Sequence, residues 1–174
     1  MKKLIIVCAT LIALAVLLLL LVFSGAYDVA ADVPHTAATR ALIGILREKS
    51  IQRRAHDIRV PPLDDPTSVQ EGAEHYNAMC VDCHLAPGIT VSEIRAGLEP
   101  QPPNLSAQQI DPRVAFWVIK HGIKMTGMPA WGRTHDDAKI WDIVAFVRLL
   151  PRMSAAQYRA LTAAARADEH ETDH

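Results

Sequence analysis

The most hydrophobic part of the chain is a run of apolar residues at positions 4–23, which only Thr10 interrupts. A helix of about 20 residues spans roughly 30 Å, the hydrocarbon thickness of a bilayer. Lys2 and Lys3 precede the run and the next basic residue is Arg40, so the positive-inside rule predicts a cytoplasmic N-terminus. We expect residues 1–25 to anchor the chain by a single pass through the cytoplasmic (inner) membrane, with the remainder facing the periplasm.

A cleaved signal peptide is the alternative interpretation of this segment. Small residues at positions 24–26 and 29–31 resemble cleavage sites. The apolar region of a signal peptide is usually only ~7–15 residues long, so the length of the run favours a retained anchor. Cys8 lies too early in the run to be a lipoprotein cysteine, and we interpret it as a small hydrophobic residue of the helix.

Residues 36–57 combine a partial apolar stripe at helical spacing with an excess of basic side chains. The helix that they predict could rest on anionic headgroups, dock on a partner or be a solvated connection. Pro61 and Pro62 end any helix and begin an extended stretch as far as Pro66. Residues 26–66 are thus predicted to be a basic helical and proline-rich linker.

Further helices are predicted after the linker. A compact domain begins at Thr67, and Ser68 is the predicted N-cap of a helix that leads into a pair of cysteines. Another begins with Asp111 as N-cap and Pro112 at its first helical position, and Gly122 ends it.

The last two predicted helices follow in close succession. One begins with Thr134 as its cap and runs to Pro151, and the other begins where Ser154 and Gln157 form a capping-box pattern. No segment alternates as a strand does, so the predicted fold class is all-α. Residues 67–151 are predicted to form a compact domain, and residues 152–174 a C-terminal helix with an acidic tail.

Length and net charge add only two constraints, on the number of domains and on nucleic-acid binding. A length of 174 residues suits one domain with accessory segments. The formal net charge of -1 at pH 7 gives no indication of nucleic-acid binding, and we expect none.

Cys80, Cys83 and His84 form a C-x-x-C-H motif. On a helix these side chains project from one face within a single turn, which suits a flat macrocycle tied at two edges while the imidazole reaches its iron. A redox dithiol would need a preceding strand and a structural zinc would need further paired ligands; neither is evident. A disulfide across so few residues would remove little chain entropy. The motif therefore predicts one covalently bound haem c, with His84 as an axial ligand of the iron.

A methionine-containing loop downstream offers the other axial ligand. Met128 precedes Pro129, which favours an extended backbone, and Gly127 lets the loop turn. We predict that Met128 is the second axial ligand, with Met125 as the second choice. Trp131 either packs near the haem or is an ordinary core residue.

These motifs together resemble a class I c-type cytochrome attached to an N-terminal membrane anchor. Gly72 and Tyr76 are similar to the first helix of that family, Phe146 to the aromatic position of its C-terminal helix, and residues 127–131 to its axial-methionine loop. The likeness covers residues 67–151. It implies a class I cytochrome c-like helical domain in which the first and C-terminal helices cross closely at Gly72.

The resemblance also implies a partner for the second ring nitrogen of His84. In this family a proline carbonyl accepts its proton, which fixes the tautomer and strengthens the ligand. Pro102 and Pro103 both match the position, and the sequence does not choose between them.

An iron bound by a histidine and a methionine has no open coordination position, and such ligation raises its reduction potential relative to two nitrogen ligands. We therefore expect an electron-transfer protein rather than an enzyme. It would carry single electrons, as Fe(III)/Fe(II), between extracytoplasmic or membrane oxidoreductases of a respiratory chain. Lys120, Lys124 and Arg133 near the methionine loop either steer an acidic redox partner or are solvated surface charge. The alternatives are a permanent cytochrome subunit of a dehydrogenase or terminal oxidase complex, and a haem peroxidase or gas sensor.

Overall fold

The computed structural model describes residues 1–171, with side chains as far as residue 163, and divides into two compact units, Met1–Pro34 and His35–His174. The first unit consists mainly of helix α1, Lys2–Phe23, none of whose residues is buried. This helix is long and apolar enough to cross a membrane. It suggests membrane anchoring, and its place near the N-terminus also fits a signal sequence.

The second unit is built from helices and loops. Over the described residues there is no β-strand, only an isolated bridge between Ala86 and Ile89, which confirms the predicted all-α class. Its α-helices, in chain order, are α2 (Ala37–Ala55), α3 (Pro66–Met79), α4 (Val81–His84), α5 (Glu93–Ala96), α6 (Pro112–His121), α7 (Asp137–Val147) and α8 (Ala155–Glu171).

The core lies where α3 crosses α7. A Cβ atom built on Gly72 would lie 2.0 Å from the backbone oxygen of Asp142, so only glycine permits this approach. Tyr76 and Phe146 are both fully buried at the crossing, and their rings are in contact with centroids 5.4 Å apart. The close crossing expected at Gly72 is therefore present.

Two of the predicted caps are wrong. Ser68 lies inside α3, because Asp65 caps the helix by accepting the Thr67 amide at 3.1 Å, with Pro66 in the first turn. Thr134 does not cap α7; the carboxylate of Asp136 does, and it accepts the backbone N–H of Lys139.

The predicted end of α7 at Pro151 is also wrong, because the helix ends at Val147 and a separate 3-10 turn, Leu150–Arg152, follows. Boundaries at the other helices agree with the structure. Asp111 caps α6, and Gly122 ends it with a φ of 63°. Ser154 and Gln157 exchange the two hydrogen bonds of a capping box at the start of α8. The predicted acidic tail lies outside the residues whose side chains are described.

Helix α2 is only partly packed. Ile51 and Ala55 near its C-terminal end are buried, whereas Leu42 and Leu46 are 70% and 68% exposed. A Cβ atom on Gly44 would meet nothing within 4 Å. Whether lipid headgroups, a partner or solvent faces this half of the helix stays a prediction.

Candidate functional site

The cysteine motif lies at a break between two helices. Helix α3 ends at Met79, Cys80 takes a φ of -118°, and the short helix α4 follows at once. The backbone N–H groups of Cys83 and His84 donate to the Cys80 carbonyl at 3.1 and 2.9 Å. The single continuous helix expected through the motif is therefore interrupted, but its three side chains still belong to one helical turn.

A buried hydrogen bond fixes the end of this turn. Leu85 has a φ of 61°, which is unusual for a branched side chain and ends the helix directly after His84. The hydroxyl of Tyr76 donates to the Leu85 carbonyl at 2.6 Å. The sequence indicated Tyr76 only by its resemblance to the family's first helix. This hydrogen bond could not be predicted, because no local pattern identifies the acceptor of the hydroxyl.

His84 is held by the loop that follows it. Its Nδ1 atom lies 3.0 Å from the carbonyl oxygen of Pro103, which can only accept, so Nδ1 carries the proton. The Leu105 amide also donates to the His84 carbonyl at 3.1 Å. In a neutral imidazole this tautomer leaves a lone pair on Nε2, which is the arrangement that a metal ligand requires.

Arg95 bonds to the other candidate carbonyl, that of Pro102. Its guanidinium donates to the Pro102 carbonyl and to the side chain of Gln101, each at 2.9 Å. Burial lowers the pKa of His84, the bond to Pro103 opposes that effect, and the charge of Arg95 lowers the pKa further. The net direction favours the neutral, ligating form.

The two thiols lack the lowered pKa of reactive cysteines. Cys80 and Cys83 are free, and burial raises the pKa of Cys80 to about 12. Burial and the charge of Asp82 raise the pKa of Cys83. Reactive thiols instead have lowered pKa values. Within the described part of the chain, no group of three or more side chains of the metal-ligating types is assembled.

The methionine loop begins where α6 ends at Gly122. The Ile123 amide donates to the Met128 carbonyl at 3.2 Å and closes a loop over residues 123–128. Met128 is half-buried and packs against the hydrophobic core, whereas Met125 is 96% exposed. Trp131 is also half-buried and packs against the same core.

The methionine loop and the loop after His84 are in contact. A Cβ atom on Gly127 would lie 2.8 Å from a terminal carbon of Leu98, so the backbone at Gly127 passes close to that side chain. Lys120, near the start of the loop, is paired with Asp137 rather than free. The methionine loop thus contacts the same long loop whose Pro103 carbonyl bonds to His84.

Residues 67–147 match the family described as cytochrome C oxidase, cbb3-type, subunit III. The matched family is a class I c-type cytochrome, and residues 67–147 are similar to it. Comparison of the chain with curated proteins and with solved structures gave no match. The similarity suggests haem c binding and electron transfer for this segment, and it agrees with the helical fold.

The residues present fit a covalently bound haem. Two neighbouring thiols could each add across a vinyl group to give a thioether, and the adjacent imidazole has a lone pair on Nε2. A half-buried thioether in a hydrogen-bonded loop could supply the other axial bond.

Proposed function

We propose that the chain is a membrane-anchored, monohaem c-type cytochrome. It carries single electrons between extracytoplasmic or membrane oxidoreductases of a respiratory chain. Cys80 and Cys83 attach the haem, and His84 and Met128 are the axial ligands. The electron donor and acceptor are proteins in or at the membrane.

The hydrogen bond between His84 Nδ1 and the Pro103 carbonyl is the observation that carries this proposal. It supports a role for the imidazole as a ligand through Nε2, beside two thiols in the same turn.

The methionine loop supports electron transfer over catalysis. When bound, haem supplies an Fe(III)/Fe(II) couple that takes up and releases one electron. Met128, packed against the core, would fill the sixth position, so that no site is left for oxygen, peroxide or substrate. The chain's own task is to keep both ligands and the surrounding packing unchanged between the two oxidation states.

Helix α1 supports a location at the membrane. Anchoring would confine the cytochrome domain to the membrane surface and raise its effective concentration near membrane oxidoreductases. The basic residues that follow α1 only from Arg40 onward favour a periplasmic domain with a cytoplasmic N-terminus.

Covalent haem attachment is the first test. The chain is produced in a host that matures c-type cytochromes, and haem is detected on a denaturing gel and by intact mass. We expect one haem on the unmodified chain and none on the double variant Cys80→Ser, Cys83→Ser. Cys8→Ser is the matched control, since Cys8 lies in α1, outside the motif. Covalent haem on the double variant would refute the attachment site.

The family's description favours one other function. Because the matched family is a subunit of an oxidase, the chain could be a permanent cytochrome subunit of a terminal oxidase complex. Purification from membranes in mild detergent distinguishes the two: a stable complex of fixed stoichiometry supports the subunit, and a monodisperse cytochrome supports the mobile carrier. A peroxidase or gas sensor would instead bind carbon monoxide rapidly in its resting reduced state.

A further inference from the structure

Both backbone groups of Met128 are bonded within its own loop. Its carbonyl accepts from the Ile123 amide at 3.2 Å, and its N–H donates to the hydroxyl of Thr126 at 3.1 Å. The same hydroxyl donates to the Ile123 carbonyl at 2.8 Å. Thr126 therefore connects the first and last residues of the 123–128 loop through one oxygen, which accepts one bond and donates the other.

The loop needs such a brace because parts of its backbone are unfavourable. Met125 has a φ of 59°, which a side chain without a local hydrogen-bonding group seldom adopts. Pro129 fixes its own φ and biases the residue before it, but it does not restrain residues 123–127. The two bonds of Thr126 restrain this part of the loop together with the backbone bond between Ile123 and Met128.

We propose that Thr126 is a positioning residue for the Met128 thioether. Its hydroxyl holds the loop in the conformation that presents Met128, so that the thioether stays bound in competition with other ligands. The inference rests on the proposed role of Met128 as axial ligand. Thr126 itself does not touch the iron in this scheme, and it acts through the backbone of Met128.

Thr126→Val tests the idea, because valine keeps the branched shape and removes the hydroxyl. The oxidised full-length holoprotein in detergent is titrated with imidazole, which displaces a weak axial ligand, while the far-red iron–thioether absorption is followed. We expect half-displacement at about tenfold lower imidazole, equivalent to ~1.4 kcal/mol, for the loss of two hydrogen bonds.

Two further variants separate positioning from a general structural effect. Thr126→Ser keeps the hydroxyl, and its imidazole titration is expected to stay within about twofold of the unmodified protein. Thr134→Val is the matched control, since the Thr134 hydroxyl donates to the Trp131 carbonyl outside the loop. Should Thr126→Val fail to fold, Thr126→Ala is measured by the same criterion.

The outcomes distinguish the inference from the proposed function. Unchanged imidazole displacement in Thr126→Val, together with loss of the far-red absorption in Met128→Ala, overturns the role of Thr126 and leaves the ligand assignment intact. Far-red absorption that survives in Met128→Ala overturns the ligand assignment and the inference together. Weakening by Thr126→Ser as large as that by Thr126→Val also refutes the role of the hydroxyl.

Discussion

The crossing of α3 and α7 is held together by buried side chains, whereas the methionine loop is held by hydrogen bonds among its own residues. Tyr76 and Phe146 are completely buried at the crossing, and Gly72 brings the two helices into contact. The methionine loop instead has Met125 almost fully exposed and relies on Thr126 for closure. We infer that the first region sets stability and the second sets the properties of the iron.

Gly72→Val should give the largest effect, because the new side chain would collide with the backbone of Asp142. We expect the free energy of unfolding to fall by on the order of 3 kcal/mol or more, or the domain to fail to accumulate. Gly44→Val is the matched control, since nothing lies near that position, and a valine there should change stability by well under ~1 kcal/mol. Denaturant unfolding measures both; equal losses in the two variants would contradict the close crossing.

Met128→Ala is the corresponding change in the other region. We expect loss of the far-red iron–thioether absorption and a lower reduction potential, by a sizeable part of the roughly 0.8 V range that axial ligands cover. The exposed Met125 is the control, and Met125→Ala should leave both properties unchanged. A spectroelectrochemical titration gives both readouts, and the reverse result would move the ligand to Met125.

Tyr76→Phe is a smaller change that sharpens the comparison. It removes only the hydroxyl that donates to the buried Leu85 carbonyl, so we expect stability to fall by about 1–3 kcal/mol. The reduction potential should change little, because His84 and Met128 stay in place. Thermal unfolding and a redox titration of the same sample test this; a large shift of potential without loss of stability would break the division between the regions.

The parts of the fold that could be predicted are those marked by short local patterns at the ends of helices. The Asp111–Pro112 pair correctly marked the start of α6, and Asp65–Pro66 is the same signal at the start of α3. Ser68, the N-cap predicted for this helix, has the right residue type but lies inside α3. Before α7, Thr134 and Asp136 are both residue types that can cap a helix. Thr134 ends the preceding 3-10 turn, so Asp136 is the residue left in the capping position.

The residues of the candidate site could be predicted from the sequence, but the hydrogen bonds that hold them in place could not. The spacing of the cysteines and His84 is local, so a pattern reveals it. The choice of Pro103 over Pro102 depends on the path of a long loop, in which the Pro103 carbonyl bonds to His84 and the Pro102 carbonyl bonds to Arg95. The role of Thr126 likewise cannot be predicted from the sequence, because its hydroxyl meets its two partners only in the closed loop.

The burial of Cys80 has a consequence for biogenesis. This residue is only 8% exposed and belongs to the hydrophobic core. If it carries a thioether to haem, the bond has to form while the chain is still open, since a folded domain would shield the sulfur from the attaching machinery. Maturation would then precede folding, and a natively folded, haem-free domain that still acquires covalent haem would contradict this order.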